Sequence, residues 1–136
     1  MILTEIGTYL QANAIGTLGT DLFLGFMPEK PDACVALYET GGLEPYRAMR
    51  GSPGSPVAER PRIQIVCRNS QYEYAAAREK ARAINVLLDQ LGETTLSGTR
   101  YLWVAAVQSP FLMGRDEVRR VLIAVNFDVV KELSAA

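Results

Sequence analysis

Arg62-Ile63-Gln64-Ile65-Val66-Cys67-Arg68 leads through Asn69-Ser70 into Tyr74-Ala75-Ala76-Ala77-Arg78, and onward to Leu91-Gly92. The change of period across that join decides the fold. Before it, Ile63, Ile65 and Cys67 alternate with Arg62, Gln64, Val66 and Arg68, the two-residue repeat of a strand with one apolar face. After it, Tyr74, Ala77, Ala81, Ile84, Leu88 and Leu91 recur at spacings of 3, 4, 3, 4 and 3, one stripe of a helix. Arg78, Glu79, Lys80, Arg82 and Asp89 fall mostly off the stripe. Ser70 and Glu73 have capping-box spacing, and Gly92 suits the position after a helix end. The pattern predicts a helix over Gln71–Leu91.

The flanks supply the rest. Leu3, Ile6 and Leu10, with Tyr9 beside them, predict a first helix with Thr4 as N-cap and Gly16 as its stop. Leu22–Met27, ended by Pro28, and Ala33–Thr40 read as strands. Arg100–Gln108 is a further strand, with Tyr101 and Trp103 read as core aromatics sharing one face. In the last strand Val121, Ile123, Val125, Phe127 and Val129 form one apolar face. The order is helix, two strands, a long connection, strand, helix, two strands. It predicts a single α+β domain over residues 1–136, with a mostly antiparallel or mixed sheet and both helices on one face. The last two strands are expected to form a hairpin.

The long connection departs from the rest in composition. Gly41–Pro61 holds four glycines and four prolines in 21 residues and keeps neither period. A connection this long in a compact domain is functional or unstructured. It is read as a flexible Gly/Pro-rich arm over about residues 42–61, within one domain.

Composition removes several classes of function. The chain has 136 residues, 14 Lys+Arg against 15 Asp+Glu, and no His. A net charge of −1 builds in no general attraction to nucleic acid or anionic membrane. The lack of His removes Ser-His and Cys-His nucleophile pairs. Met1–Glu5 does not read as a secretory signal. Cys34 and Cys67 are too few for a four-ligand zinc site. They are read as buried free thiols, with a disulfide as the alternative. Glu39, Glu44, Glu59, Asp116 and Glu117 have no spacing that forces a carboxylate pair into a cleft. No catalytic, cofactor-binding or metal-ligating residue is assigned, and no cofactor is expected.

What remains is a candidate protein interface. Arg, Tyr and Met are enriched where proteins meet. On that ground Tyr46, Arg47, Met49, Arg50 and Arg60 of the arm are assigned to contacts, together with Arg115, Asp116, Glu117 and Arg119 of the turn before the last strand.

Several phrases carry a resemblance. They are Pro31-Asp32 leading into Val35-Ala36-Leu37-Tyr38-Glu39, Arg62-Ile63-Gln64-Ile65, and Tyr74-Ala75 at the helix start. Gln108-Ser109-Pro110, Gly114-Arg115-Asp116-Glu117 and Val125-Asn126-Phe127 follow in order. In that order, from about Leu22 to Val130, the chain resembles the bacteriophage minor capsid or tail-terminator proteins. Gly42–Arg60 is the least comparable part. The resemblance implies a non-enzymatic virion protein of the tail or neck, assembled in the host cytoplasm. It implies a ring, expected to be six-fold, that ends tail-tube growth. The implied partners are further copies of itself, the tail tube protein and a head-side adaptor or connector, with neither membrane nor sequence-specific nucleic acid. The alternatives are another neck component such as a head-completion or minor capsid protein, a small carboxylate-based hydrolase, and a nucleic-acid binder working through the arm arginines.

Overall fold

A computed structural model describes residues 1–47 and 56–132. Its centre is an antiparallel pair. β3 (Pro56–Asn69) and β7 (Val121–Glu132) run side by side, from Asn69 opposite Val121 to Ala58 opposite Glu132. β2 (Cys34–Arg47) continues the sheet beyond β3, and β1 (Leu22–Leu24) adds a parallel edge to β2. On the other side of β7 lie β5 (Thr99–Ala106), with β4 (Thr94–Leu96) outside it, and β6 (Phe111–Arg115), which pairs with the first residues of β7. The seven strands form one mixed sheet, curled into a half-barrel.

Alternation fixes which face is buried. Val35 and Leu37, Ile63, Ile65 and Cys67, and Val121 through Val129 at odd positions all point to one side. There they meet both helices: α1 (Ile2–Ala12) through Ile2, Leu3, Ile6 and Leu10, and α2 (Tyr74–Leu88) through Ala77, Ala81, Ile84 and Leu88. The predicted α+β domain with two helices on one face is what folds. Gly7 lets α1 lie close to the sheet: a β-carbon there would sit 2.9 Å from a methyl of Leu24. Among the described residues no helix is long and apolar enough to cross a membrane.

Inside this core sits one carboxylate. Glu5 of α1 is buried and accepts hydrogen bonds from the Tyr101 hydroxyl (2.7 Å) and the Thr99 hydroxyl (2.5 Å) of β5. A buried charge needs such donors. The triad ties the first helix to a strand almost a hundred residues later. Burial, and then the Glu5 carboxylate, raise the Tyr101 phenol well above its ordinary value.

Several sequence expectations need correction. Thr4 caps nothing: α1 begins at Ile2 with Met1 before it, and ends at Ala12, short of Gly16. The Ser70–Glu73 capping box does not form. α2 begins at Tyr74 with Glu73 as N-cap and no side-chain cap bond, and it ends at Leu88 rather than Leu91. β1 stops at Leu24 because Gly25 turns at φ +83°. β4 and β6 were not foreseen. The hairpin at the end of the chain is β6–β7, while β5 pairs with β7 across that insertion.

Trp103 is a clearer miss. A bulge between Tyr101 and Trp103 breaks the alternation. Tyr101 is fully buried against the helices, whereas Trp103 points to the other face and is 41% exposed. Part of the predicted arm is also regular. β2 continues to Arg47 and β3 starts at Pro56, so residues 42–47 and 56–61 form the far end of a paired hairpin with three register shifts. Residues 48–55, with Met49 and Arg50, lie outside the described residues. At Gly42 the two strands approach closely: a β-carbon there would meet the Arg60 carbonyl oxygen at 2.5 Å.

Removing the hydroxyl of Tyr101 leaves Glu5 with one donor fewer in a buried site. Tyr101→Phe is expected to lower the unfolding free energy by about 1–3 kcal/mol, read from urea denaturation. An unchanged midpoint would show that the carboxylate is solvated and not held by the strand.

Candidate assembly surfaces

The candidate residues separate to opposite ends of the β3–β7 ladder. The far end of the β2–β3 hairpin carries Tyr46, Arg47 and Arg60. Arg60 lies opposite Leu43, donates to the Glu44 carbonyl (2.6 Å), and stacks its guanidinium 4.5 Å above the Tyr46 ring. Arg47 pairs with Glu44 at 3.5 Å on the surface. Leu43, Tyr46 and Val57 are each about half exposed. Of the arm residues assigned to contacts from sequence, Tyr46, Arg47 and Arg60 lie together at this end of the hairpin.

The other end is the turn between β6 and β7. Here the four named residues have different tasks. Arg115 donates to the carbonyls of Gln71 and Arg119, both at 3.0 Å, and so joins this turn to the loop that enters α2. Asp116 accepts from the backbone amides of Val118 (3.1 Å) and Arg120 (2.9 Å) and from the Arg120 guanidinium (2.7 Å). It shapes the turn. Glu117 and Arg119 are exposed, and Arg119 sits at φ +66°. Tyr72, Met113 and Val118 flank them, with Tyr72 at 88% exposure.

Two arginines of the described residues matter structurally and were not assigned a role from sequence. Arg68 is buried and donates to the carbonyls of Asp32 (3.1 Å) and Pro31 (2.7 Å). Arg120 is also buried and reaches the Glu29 carbonyl (2.5 Å), Asp32 (3.3 Å) and Asp116. Together they fasten the Glu29–Asp32 loop across the β7 start. The available signal was parity: Arg68 falls on the face opposite Cys67, where a strand of this sheet has no helix to meet.

The cysteines are free and buried. Val35 lies opposite Cys67, while Cys34 lies opposite Arg68, so the two thiols face opposite sides of the sheet. That geometry rules out the disulfide alternative. Burial pushes the Cys67 thiol up to about 12. Burial also raises Cys34, against the opposing pull of Arg68. Neither is an activated nucleophile. A cleft of about 170 Å³ beside Cys34 is lined by Asp21, Arg68 and Lys80. Their polar atoms serve the backbone: Asp21 accepts from Thr17 N, and Lys80 donates to the Ile15 carbonyl. Among the described residues no three His, Cys, Asp or Glu side chains are grouped to hold a metal ion.

Charged groups here secure loops, and apolar side chains stay exposed at both ends of the sheet. The chain belongs to the bacteriophage tail terminator protein family, which it matches over residues 9–133. It is a structural component of the virion tail, and it assembles with other phage tail or head proteins. Among solved structures, a chain from the "Virion of native gene transfer agent (GTA) particle" superposes with a TM-score of 0.61 at 16% identity, covering 95% of this chain and 94% of that one. A second solved chain, whose name describes no role, gives 0.54 at 13% identity, covering 99% and 93%. These likenesses establish a shared fold. No curated protein matches the sequence.

Burial opposes ionisation of Asp116, but the hydrogen bonds and charge of Arg120 prevail and hold its carboxyl below the ordinary carboxylate value. A depressed carboxylate stabilises the fold above its unfolded pKa, and the contribution is lost as pH falls through the folded value. Asp116→Asn is expected to flatten the loss of stability below about pH 4, followed by urea midpoints against pH. Parallel curves for both proteins would remove Asp116 from the acid response.

Proposed function

We propose that this chain closes the head-proximal end of the tail tube as a ring, expected to be six-fold. There it stops tube growth and offers a joining surface to a head-side adaptor or connector. The observation that carries this reading is the family match over nearly the whole chain. The surfaces support it: a ring subunit needs two different patches, one for each neighbour, and this molecule exposes different apolar groups at its two ends. The protein acts through contact and not through catalysis, and assembles in the host cytoplasm before residing in the virion.

Within this reading the residues proposed for contact are Tyr46, Arg47, Arg60, Glu117 and Arg119. Met49 and Arg50 join them from the sequence alone. Arg115 and Asp116 support the turn that presents the last two.

A phage lacking this chain is expected to make tails of irregular, extended length that do not join heads, seen by electron microscopy. Tails of normal length would overturn the terminator role. At the residue level, Arg119→Ala is expected to weaken tail association with unchanged thermal stability, because no other described residue bonds its side chain. Arg115→Ala is expected to lower both, since it unfastens the turn from Gln71. Unchanged association for Arg119→Ala would take this turn out of the interface.

A further inference from the structure

The face of the sheet that meets no helix is nevertheless buried at one end. Phe23, Cys34, Ala36 and Arg68 lie outside the core beneath the helices, and all four are buried. The segment between β1 and β2 covers them. Those two strands are parallel, with Leu22 opposite Val35 and Leu24 opposite Leu37. Residues 25–33 therefore double back along the sheet to reach the start of β2, and they do so across this face. Phe26 packs on Phe23 with ring centroids 5.4 Å apart, and Arg68 donates to the carbonyls of Pro31 (2.7 Å) and Asp32 (3.1 Å).

This strap is lightly held. None of residues 25–33 belongs to the core cluster on the helix side. Gly25 donates to the Leu37 carbonyl, and beyond it no backbone amide of residues 26–33 has a backbone partner among the described residues. Phe26 is 57% exposed. The fastening falls to two arginines from other elements. Arg68 is one; the other is Arg120, which donates to the Glu29 carbonyl (2.5 Å) and the Asp32 carboxylate (3.3 Å). A segment with few buried apolar contacts opens at a lower free energy than the whole domain.

Arg120 also belongs to the turn before β7. Its Nε donates to Asp116 (2.7 Å), the carboxylate that accepts from the Val118 and Arg120 amides. Asp116 itself bonds no residue of the strap. One guanidinium thus joins the β6–β7 turn to the strap.

We propose that residues 25–33 form a releasable cover, which opens independently of the core and is linked to the β6–β7 turn through Arg120. A partner that shifts the turn moves Asp116, and Arg120 with it, and so bares Phe23, Cys34 and Ala36. In the free chain the cover keeps this end of the sheet out of contact. The proposal rests on the reading of the Glu117 and Arg119 turn as a contact, and adds its regulation.

The two thiols report the cover in the free chain. Cys34 stands where the strap ends, whereas Cys67 belongs to the helix-side core. The native chain is treated with a maleimide carrying a polyethylene glycol chain, which the cleft of about 170 Å³ beside Cys34 cannot hold, and the two sites are separated by peptide mass. Cys34 is expected to react at least about tenfold faster than Cys67, which waits for global unfolding. Arg120→Met is expected to speed Cys34 about tenfold further, and Asp32→Asn and Asp116→Asn several-fold, each by more than Cys67. Loss of the Arg120 charge alone would raise the Cys34 thiol and slow its reaction, so a faster reaction reports opening. Equal rates for the two thiols in the unaltered chain would mean that the strap opens only with the whole domain, and would overturn the cover. A Cys34 rate unchanged by Asp116→Asn would overturn the link to the turn, and so would a rise matched by Cys67. Either failure leaves the contact reading of the turn to its own test in tails.

Discussion

The pairing of β3 with β7 is the constraint on which the rest of the molecule depends. Both strands lie inside the sheet, with Ile63, Ile65 and Cys67 of β3 and every odd-numbered residue of β7 buried. A shift of one residue would carry Ile63, Ile65 and Cys67 to the face without helices, and Gln64 and Arg68 into the core. Burial of six or more large side chains on one face thus pins the register. With the register pinned, the strand ends are placed too. The turn at Asp116–Arg120 must lie beside Asn69, and the hairpin at Arg47 and Pro56 must lie beside Glu132.

How far the sequence showed this varies with the kind of interaction. The alternation in Arg62–Arg68 and Val121–Val130 reports burial directly, so both central strands were legible, as was the α2 stripe. The short strands β4 and β6 were not. β4 and β6 bury little, and their pairing rests on backbone hydrogen bonds that leave no apolar period. Bulges were also invisible, because they insert a residue without changing composition, and Trp103 went to the wrong face for that reason. The capping-box spacing at Ser70 misled because Ser70 lies in a turn, its carbonyl bonded by Glu73 N, one residue before the helix begins. The composition of 42–61 concealed strand ends that tolerate Gly42, Pro45 and Pro61 only because the hairpin projects past the core and is irregular.

The candidate surface was legible as composition but not as geometry. Arg, Tyr and exposed acids marked the arm and the last turn. Which of them brace the fold was not readable, because it depends on what each side chain already bonds. The side chains of Arg115 and Asp116 bond backbone in and beside the turn, whereas those of Glu117 and Arg119, two and four residues from Arg115, bond no other described residue. Arg68 and Arg120 illustrate the same division deeper in the molecule. A buried arginine bonded to several carbonyls fixes a loop; it does not recruit a partner.

For a ring, the angle between neighbours matters more than the strength of any one contact. If the two docking surfaces stood on separate mobile loops, that angle would wander and the chain of subunits would not close reproducibly. In this chain the two surfaces proposed for contact are joined to the ends of one antiparallel ladder, and each is braced at its base: the hairpin by the close approach of Gly42 to Arg60, the turn by Asp116 and Arg120. The twist of the ladder then fixes one surface relative to the other. In the proposed assembly it would also fix how many copies close a circle. That gives a physical reason for a protein of this kind to place its buried arginines and the close Gly42–Arg60 approach at the two ends of the sheet, where they contribute least to the core.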